Sequence, residues 1–365
     1  MNRPHDVVVL GTGAFAGALV RALAQRASGP TRVHLVSRDR DRARNLAGLA
    51  QAHAVLADRP ARFCCHRLDV GGGADLRPLL ARHRPHVLVV CTSDVPPAET
   101  RGPASAWTGL VRAAGFGVTL PLQAATALRA ASASAEASPR TAVVNACFPD
   151  AVNPLLYAAG LPVRCGLGNV ATLAGLIRRD LLLGDESRLK VLAHHAQLHS
   201  PPTPADEVRA WLDDEPLTTY ELLERGRRHP RADLNEIGAV AGAAVVDALA
   251  HPRAPHAAHV PSPGGLPGGY PVLLTGHSIA LRLPPGLSER QAVARNEQWS
   301  GLDGVTVDRR GEARFTPMAL RALREHWPDA PAAFAARDVE ELRTRQLALR
   351  DRLRGLPPTP VAIPL

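Results

Sequence analysis

The segment Val7-Val8-Val9-Leu10-Gly11-Thr12-Gly13-Ala14-Phe15-Ala16-Gly17 constrains this chain more than any other. Four apolar residues that break directly into glycines read as a buried strand, a tight turn and a helix start. Gly11 permits the turn, Gly13 lets the backbone approach a pyrophosphate, and the small Ala16 lets the helix pack closely on the strand. The helix start offers unpaired N–H groups and the positive end of its dipole to phosphates. Gly11, Thr12, Gly13, Ala14 and Phe15 are therefore predicted to hold a dinucleotide. Two other readings compete for the same stretch: a tight turn in an unrelated doubly wound sheet, and a site for a methyl-donor cofactor.

Beyond the turn, the alternation of strand and helix continues. Strand-like runs at 33–36, 62–70 and 87–91 alternate with helix-like stretches at about 14–26, 40–54 and 75–83, and a later apolar run spans 141–147. Strands that alternate with helices of this length imply an α/β fold with a parallel sheet covered on both faces. At 365 residues, and roughly 150 residues per domain, about two domains are expected. The first is predicted to be a dinucleotide-binding doubly wound domain over residues 1–148, and the second a mixed α+β domain over 149–330. A C-terminal helix and tail over 331–365 would pack on the body or on a partner subunit. Pro/Gly-rich breaks interrupt the second part at 200–204 and 261–271, and a strand-like run at 272–283 follows the second break.

Composition removes several functional classes. The 43 Lys+Arg against 34 Asp+Glu leave a net charge of +9, which raises nucleic-acid binding. The arginines are scattered, however, and 4% aromatic residues provide few platforms for unpaired bases, so no nucleic-acid partner is expected. No apolar run reaches the roughly 18 residues of a membrane span, and the N-terminus lacks the features of a signal peptide. A cytoplasmic protein without a membrane partner is the expectation. Cys64, Cys65, Cys91, Cys147 and Cys165 are odd in number and form no CxxC pair, which suits neither a disulfide framework nor a zinc site. No metal is expected on this basis.

The end of the second strand separates the two nicotinamide dinucleotides. A carboxylate there accepts from the ribose 2'-hydroxyl of NAD, whereas a hydroxyl and a guanidinium suit the 2'-phosphate of NADP. Ser37 and Arg38 occupy this position and Asp39 stands one or two places late, so NADP is predicted while NAD stays open. Thr92 and Ser93, just past the strand at 87–91, fall where the crevice meets the cofactor.

Four stretches together resemble the lactate and malate dehydrogenase superfamily: the glycine turn, PPAETR ending in Arg101, VVNACFPDAVNPLL from Val143, and GLGNVATLAGLIRR from Gly166 with VLAHHAQLH from Val191. The resemblance implies a Rossmann domain followed by a dehydrogenase-like α+β domain. It also implies Arg101 as the loop arginine that polarises the substrate carbonyl, Asn145 near the nicotinamide, His195 as the catalytic histidine and a homodimer or homotetramer. Two departures matter. Thr172 and Gly175 stand where the 2-hydroxy-acid dehydrogenases carry a histidine-orienting aspartate and a carboxylate-binding arginine, and Arg178 is a possible substitute for the latter. Gly168 replaces the cysteine metal ligand of the related NAD- and manganese-dependent glycosidases.

The remaining chemistry is hydride transfer at a carbonyl, alcohol or imine carbon of a small polar metabolite, coupled to proton transfer by a group that titrates near neutrality. Histidine suits that task. His195 is the choice, with His194 and His199 as competitors. In a strand, His194 would point opposite to His195. A His-His-x-x-x-His metal cluster at 194–199 lacks a matching carboxylate or cysteine. Asp150 would either orient the imidazole or cap a helix near Asn153. Cys147 reads as a packed thiol, Asn235 and Glu236 precede a small-residue helix at 237–249 that borders the site in the family, and His277 has no assigned role. Two further activities compete: a hydrolase or lyase that uses bound nicotinamide as a transient redox aid, and a non-catalytic sensor of NADP.

Overall fold

The chain is described by a computed structural model that covers residues 3–96, 99, 103–276 and 278–358. Its first part alternates strand and helix: β1 (His5–Leu10), α1 (Ala14–Arg26), β2 (Thr31–Ser37), α2 (Arg40–Leu56), β3 (Ala61–Arg67), α3 (Arg77–His83) and β4 (Val87–Val90). After α4 (Ala106–Ala114) and the Ala-rich α5 (Leu120–Ala137) come β5 (Ala142–Asn145), α6 (Pro149–Ala158), β6 (Val163–Gly166) and α7 (Asn169–Asp180). The six strands form one parallel sheet in the order β3-β2-β1-β4-β5-β6, the doubly wound arrangement. Val7 and Val9 face one core while Val8 and Leu10 face another, because a sheet covered by helices on both sides buries every position of its central strands. The sheet runs past residue 148, since β6 pairs with β5.

The rest of the chain builds three small antiparallel sheets. They comprise β7 (Leu189–Leu192), β8 (Arg209–Leu212) and β9 (Glu215–Leu217); β10 (His256–Pro261), β11 (Gly269–Thr275) and β12 (Ser278–Leu281); and β13 (Val305–Val307), β14 (Ala313–Phe315) and β15 (Ala333–Phe334). Helices α8 (Tyr220–Arg227), α9 (Arg231–Ala250), α10 (Glu289–Ser300), α11 (Pro317–Arg324) and α12 (Val339–Arg354) complete the set. Helix α9 packs along α1, and α12 returns to lie on α4 and α5.

Three local expectations change. The run at 272–283 is a hairpin, β11 and β12, instead of one strand, with a turn at Gly276; His277 lies outside the described residues. Asn235 and Glu236 sit inside α9, which starts at Arg231. The stretch carrying His194 and His195 leaves the sheet after Leu192 and winds into a 3-10 turn, His195–Leu198, so strand alternation does not separate these histidines.

Candidate active site

All six sheet strands are parallel, so the loops after β1, β2, β4, β5 and β6 emerge at one edge, and the crevice lies where the strand order reverses between β1 and β4. Gly11 has φ of +107°, and a Cβ there would lie 2.7 Å from the carbonyl oxygen of Cys91. Only glycine satisfies both the conformation and the space. A Cβ on Gly13 would meet nothing within 4 Å, so the backbone there faces open space. Helix α1 begins next with no side-chain cap and no acidic residue in its first turn. Its first N–H groups are thus offered to an anion, and the donor set fits the pyrophosphate of a dinucleotide.

A cavity of about 390 Å³ opens from this turn and is lined by Gly11, Thr12, Gly13, Ser37, Arg38, Thr92 and Ser93, together with Arg42 and Arg343. The Ser37 and Thr12 hydroxyls are 3.1 Å apart, and Ser93 Oγ donates to the Val95 carbonyl at 2.8 Å. Asp39 caps α2: its Oδ1 accepts from the N–H groups of Asp41 and Arg42 at 3.1 and 3.0 Å. Ala14 lines a neighbouring cavity with Asn235 and Glu236, and the ring of Phe15 lies toward Gly168 and Gly238. Asn145 is fully buried at the end of β5. Its Nδ2 donates to Cys147 O and Asn153 Oδ1 at 3.0 and 2.9 Å, and its Oδ1 accepts from Cys147 N at 2.9 Å. It braces the β5–α6 turn instead of lining the cavity.

The histidine centre forms beyond β5 and β6. Both oxygens of Asp303 lie close to His195 Nδ1, Oδ2 at 2.9 Å and Oδ1 at 3.1 Å, and Oδ2 lies 3.4 Å from His194 Nδ1. Phe116 stacks on the His195 ring at 5.2 Å, and Phe148 meets it edge-on at 5.1 Å. Phe148 holds φ of +45°, an unfavourable conformation for a bulky residue and one that tends to mark functional sites. A carboxylate on Nδ1, Phe116 stacked on one face and Phe148 set edge-on beside both rings fix the imidazole and leave Nε2 to exchange a proton. The His195 side chain is 13% exposed and that of His194 1%, so His195 is the accessible member of the pair.

Asp150 does not orient the imidazole. Its Oδ1 accepts from the His195 backbone N–H at 3.2 Å and its Oδ2 accepts from Asn169 Nδ2, so it holds the main chain beneath the histidine. The carboxylate on Nδ1 comes instead from Asp303, in a different part of the chain. Glycines allow this. A Cβ on Gly115 would collide with the Asp303 carbonyl, and one on Gly304 with the Ala114 carbonyl. The two segments therefore nest backbone to backbone, which delivers Phe116 and Asp303 to His195 together.

Burial opposes the charge on Asp303, but the His195 imidazole and hydrogen bonds from both histidines outweigh it and hold the carboxyl well below the usual range. Burial would lower His194, yet Asp303 and Asp150 outweigh that and raise it above its ordinary value. Burial pushes the Cys147 thiol up to about 12, so it is a packed thiol and no nucleophile. Arg178 donates to Leu183 O at 3.1 Å, to Glu186 at 2.7 Å and to Gly184 O at 2.6 Å. Its donors are committed away from the histidine centre, which removes it as a substitute carboxylate fork. His199 is exposed at the end of the 3-10 turn. Arg101 lies outside the described residues.

Asp303, Phe116, Phe148 and Asn169 carry no sequence signal that marks them for this site. Asp303 sits in an unremarkable GLDG turn, and only the paired glycines at 115 and 304 hint that this turn is packed against another segment. The arrangement defines a doubly wound α/β protein with an aspartate-held histidine past the carboxyl edge of its sheet.

No protein-family model and no curated protein sequence matches the chain. Among solved structures it is similar to the malate dehydrogenase of Cryptosporidium parvum, at 15% identity and a TM-score of 0.50, over 82% of this chain and 98% of that one. The lactate dehydrogenase of the same organism, crystallised with lactic acid and nicotinamide adenine dinucleotide, overlaps at 15% identity and a TM-score of 0.48, over 83% and 98%. The chain has a malate-dehydrogenase-like fold, and the likeness carried by the four sequence stretches is a likeness of architecture. Among the described residues no helix is long and apolar enough to cross a membrane.

Proposed function

We propose that this chain is a nicotinamide-dinucleotide-dependent oxidoreductase acting on a carbonyl, alcohol or imine carbon of a small polar metabolite, with a preference for NADP. The observation that carries the reading is the His195–Asp303 pair, a fixed imidazole beyond the same sheet edge as the glycine turn. The dinucleotide, when bound, supplies a hydride donor or acceptor. Gly11, Thr12 and Gly13 would hold its pyrophosphate at the start of α1. Thr92 and Ser93 would line its path toward the second part of the chain. His195 gives or takes the accompanying proton at Nε2, while Asp303 stabilises the imidazolium and keeps the ring in place.

The preference for NADP rests on Arg38 and Arg42, which line the cavity and suit a 2'-phosphate. Asp39 lines the same cavity, with its Oδ1 engaged in capping α2 through Asp41 and Arg42. A homodimer or homotetramer in the cytoplasm belongs to the same proposal.

Fluorescence titration with NADPH and NADH, followed by a panel of keto acids and imines, tests it. Arg38→Ala is expected to weaken NADPH about 10- to 150-fold, from the roughly 1.5–3 kcal/mol of a charged hydrogen bond, and to spare NADH. Equal losses for both nucleotides overturn the 2'-phosphate assignment, and failure of the wild type to bind either one overturns the reading as a whole.

A further inference from the structure

A second histidine cluster lies away from the crevice loops, on the face of the sheet that α3 covers. His34 on β2 stands opposite Cys64 on β3, and His66, two residues further along β3, points to the same face. Helix α3 packs over them and ends in His83. The ring of His34 is 4.1 Å from that of His83 and 5.2 Å from that of His66. One ligand nitrogen from each of the three histidines lies within 4.8 Å of the others. His34 Nδ1 is 3.0 Å from His66 Nε2 and 3.1 Å from Cys64 Sγ, and Cys64 Sγ is 3.9 Å from His66 Nε2.

Asp6 decides the tautomer. It accepts from His34 Nε2 at 2.8 Å, which puts the proton on Nε2 and leaves a lone pair on Nδ1. The His66 nitrogen and the Cys64 sulfur both approach that lone pair, and the thiol also donates to the Val33 carbonyl at 3.5 Å. A cation at the centre accepts all the lone pairs at once. Zinc with nitrogen ligands at about 2.0–2.1 Å and a sulfur at about 2.3 Å needs tetrahedral edges of roughly 3.3–3.6 Å; the three edges among His34, His66 and Cys64 are 3.0, 3.1 and 3.9 Å, and His83 brings a nitrogen within 4.8 Å of those of His34 and His66. A carboxylate holding the far nitrogen of a ligating histidine is the usual outer support of such sites. The stacked histidines His5, His86 and His251 make the contrast: they present ring faces to one another, with interplanar angles of 15° and 10°, not converging nitrogens.

We propose that His34, Cys64, His66 and His83 form a closed site of three nitrogens and one sulfur for zinc, or a similar late first-row divalent ion, with Asp6 as its outer support. Four protein ligands leave no open position, so the ion is structural: it ties β2, β3 and the end of α3 at the β3 edge of the nucleotide sheet. Cys64, His66 and His83 are partly exposed, which gives the ion a route in from solvent. Thiolate and imidazole together select zinc, cobalt or copper over magnesium or calcium.

The test uses untagged, full-length protein kept reduced, stripped with chelator and dialysed. Metal analysis after zinc loading is expected to find one ion per chain, and the cobalt form to show intense visible bands together with a thiolate-to-cobalt charge-transfer band in the near ultraviolet. Cys64→Ser is expected to lose the charge-transfer band, and the double variant Cys64→Ser/His83→Ala to lose both the ion and the zinc-dependent rise in Tm. A cobalt spectrum unchanged in Cys64→Ser overturns the site, because the metal is then bound elsewhere, His194 and His195 included. Wild-type protein that takes up no zinc, or cobalt without a charge-transfer band, overturns it with no variant needed.

Discussion

Two histidine clusters in this chain are built from nearly the same side chains and differ in where the carboxylate stands. At the sheet's carboxyl edge, Asp303 sits between the Nδ1 atoms of His194 and His195, holding the His195 ring and raising His194 above its ordinary value. Under α3, Asp6 stands outside the group and pulls on the far nitrogen of His34, so the lone pairs converge on a point with a thiol beside it. A carboxylate at the centre makes a proton site, and one at the periphery makes a ligand site. Imidazole serves both, and its second nitrogen selects between them.

The largest effect that can break this contrast is on turnover. His195→Gln is expected to lower kcat by about 10²–10⁴-fold, the usual contribution of a positioned proton-transfer group, with NADPH affinity retained. Unchanged turnover would make the centre a structural one and favour a nucleotide sensor. Asp303→Asn is next: it keeps the volume but removes the shared counter-charge, and denaturant unfolding is expected to show a loss of about 3 kcal/mol as a buried pair is broken.

Asp6→Asn sharpens the comparison from the other side. Weakening the support of His34 is expected to cost about 10–100-fold in zinc affinity by competition titration, while turnover stays at the wild-type level. An effect on turnover with none on metal binding would reverse the assignment of the two clusters.

The smallest effect is a pH dependence. Asp303 is lowered in the folded state, so its contribution to stability is present above the unfolded carboxyl value near 3.9 and is lost only as pH falls through its low folded value. His194 is raised, so its contribution is complete below the unfolded histidine value near 6.5 and fades as pH rises through the raised value. The stability gap between wild type and Asp303→Asn is therefore expected to be widest between about pH 4 and 6.5 and to narrow above it. A gap that widens toward alkaline pH would contradict the pairing.

Much of the doubly wound half was legible in the sequence. The turn at Gly11, the order of strands and helices through β4, and the cavity-lining Ser37, Arg38, Thr92 and Ser93 all follow from runs of adjacent residues. Other readings failed for identifiable reasons. Asp150 was legible as a residue near His195 but not as a main-chain acceptor, because that role depends on the 3-10 turn that replaces a strand at His195. Arg178 looked available because nothing in the sequence reveals the two carbonyls and Glu186 that occupy its guanidinium. The proposed metal site has no counterpart in cysteine spacing, because its four ligands come from two strands and a helix and only Cys64 and His66 are close in sequence.

Local order is written into neighbouring residues: apolar periodicity, glycine at a required positive φ and an uncapped helix start act over a few positions, and for these the amino-acid string suffices. Convergence is not written there. Asp303 reaches His195 only because backbones at 115 and 304 can touch, and His34 meets His83 only because α3 lies across the strands. Such distances are set by how whole elements pack, and packing answers to the shape of every neighbour at once.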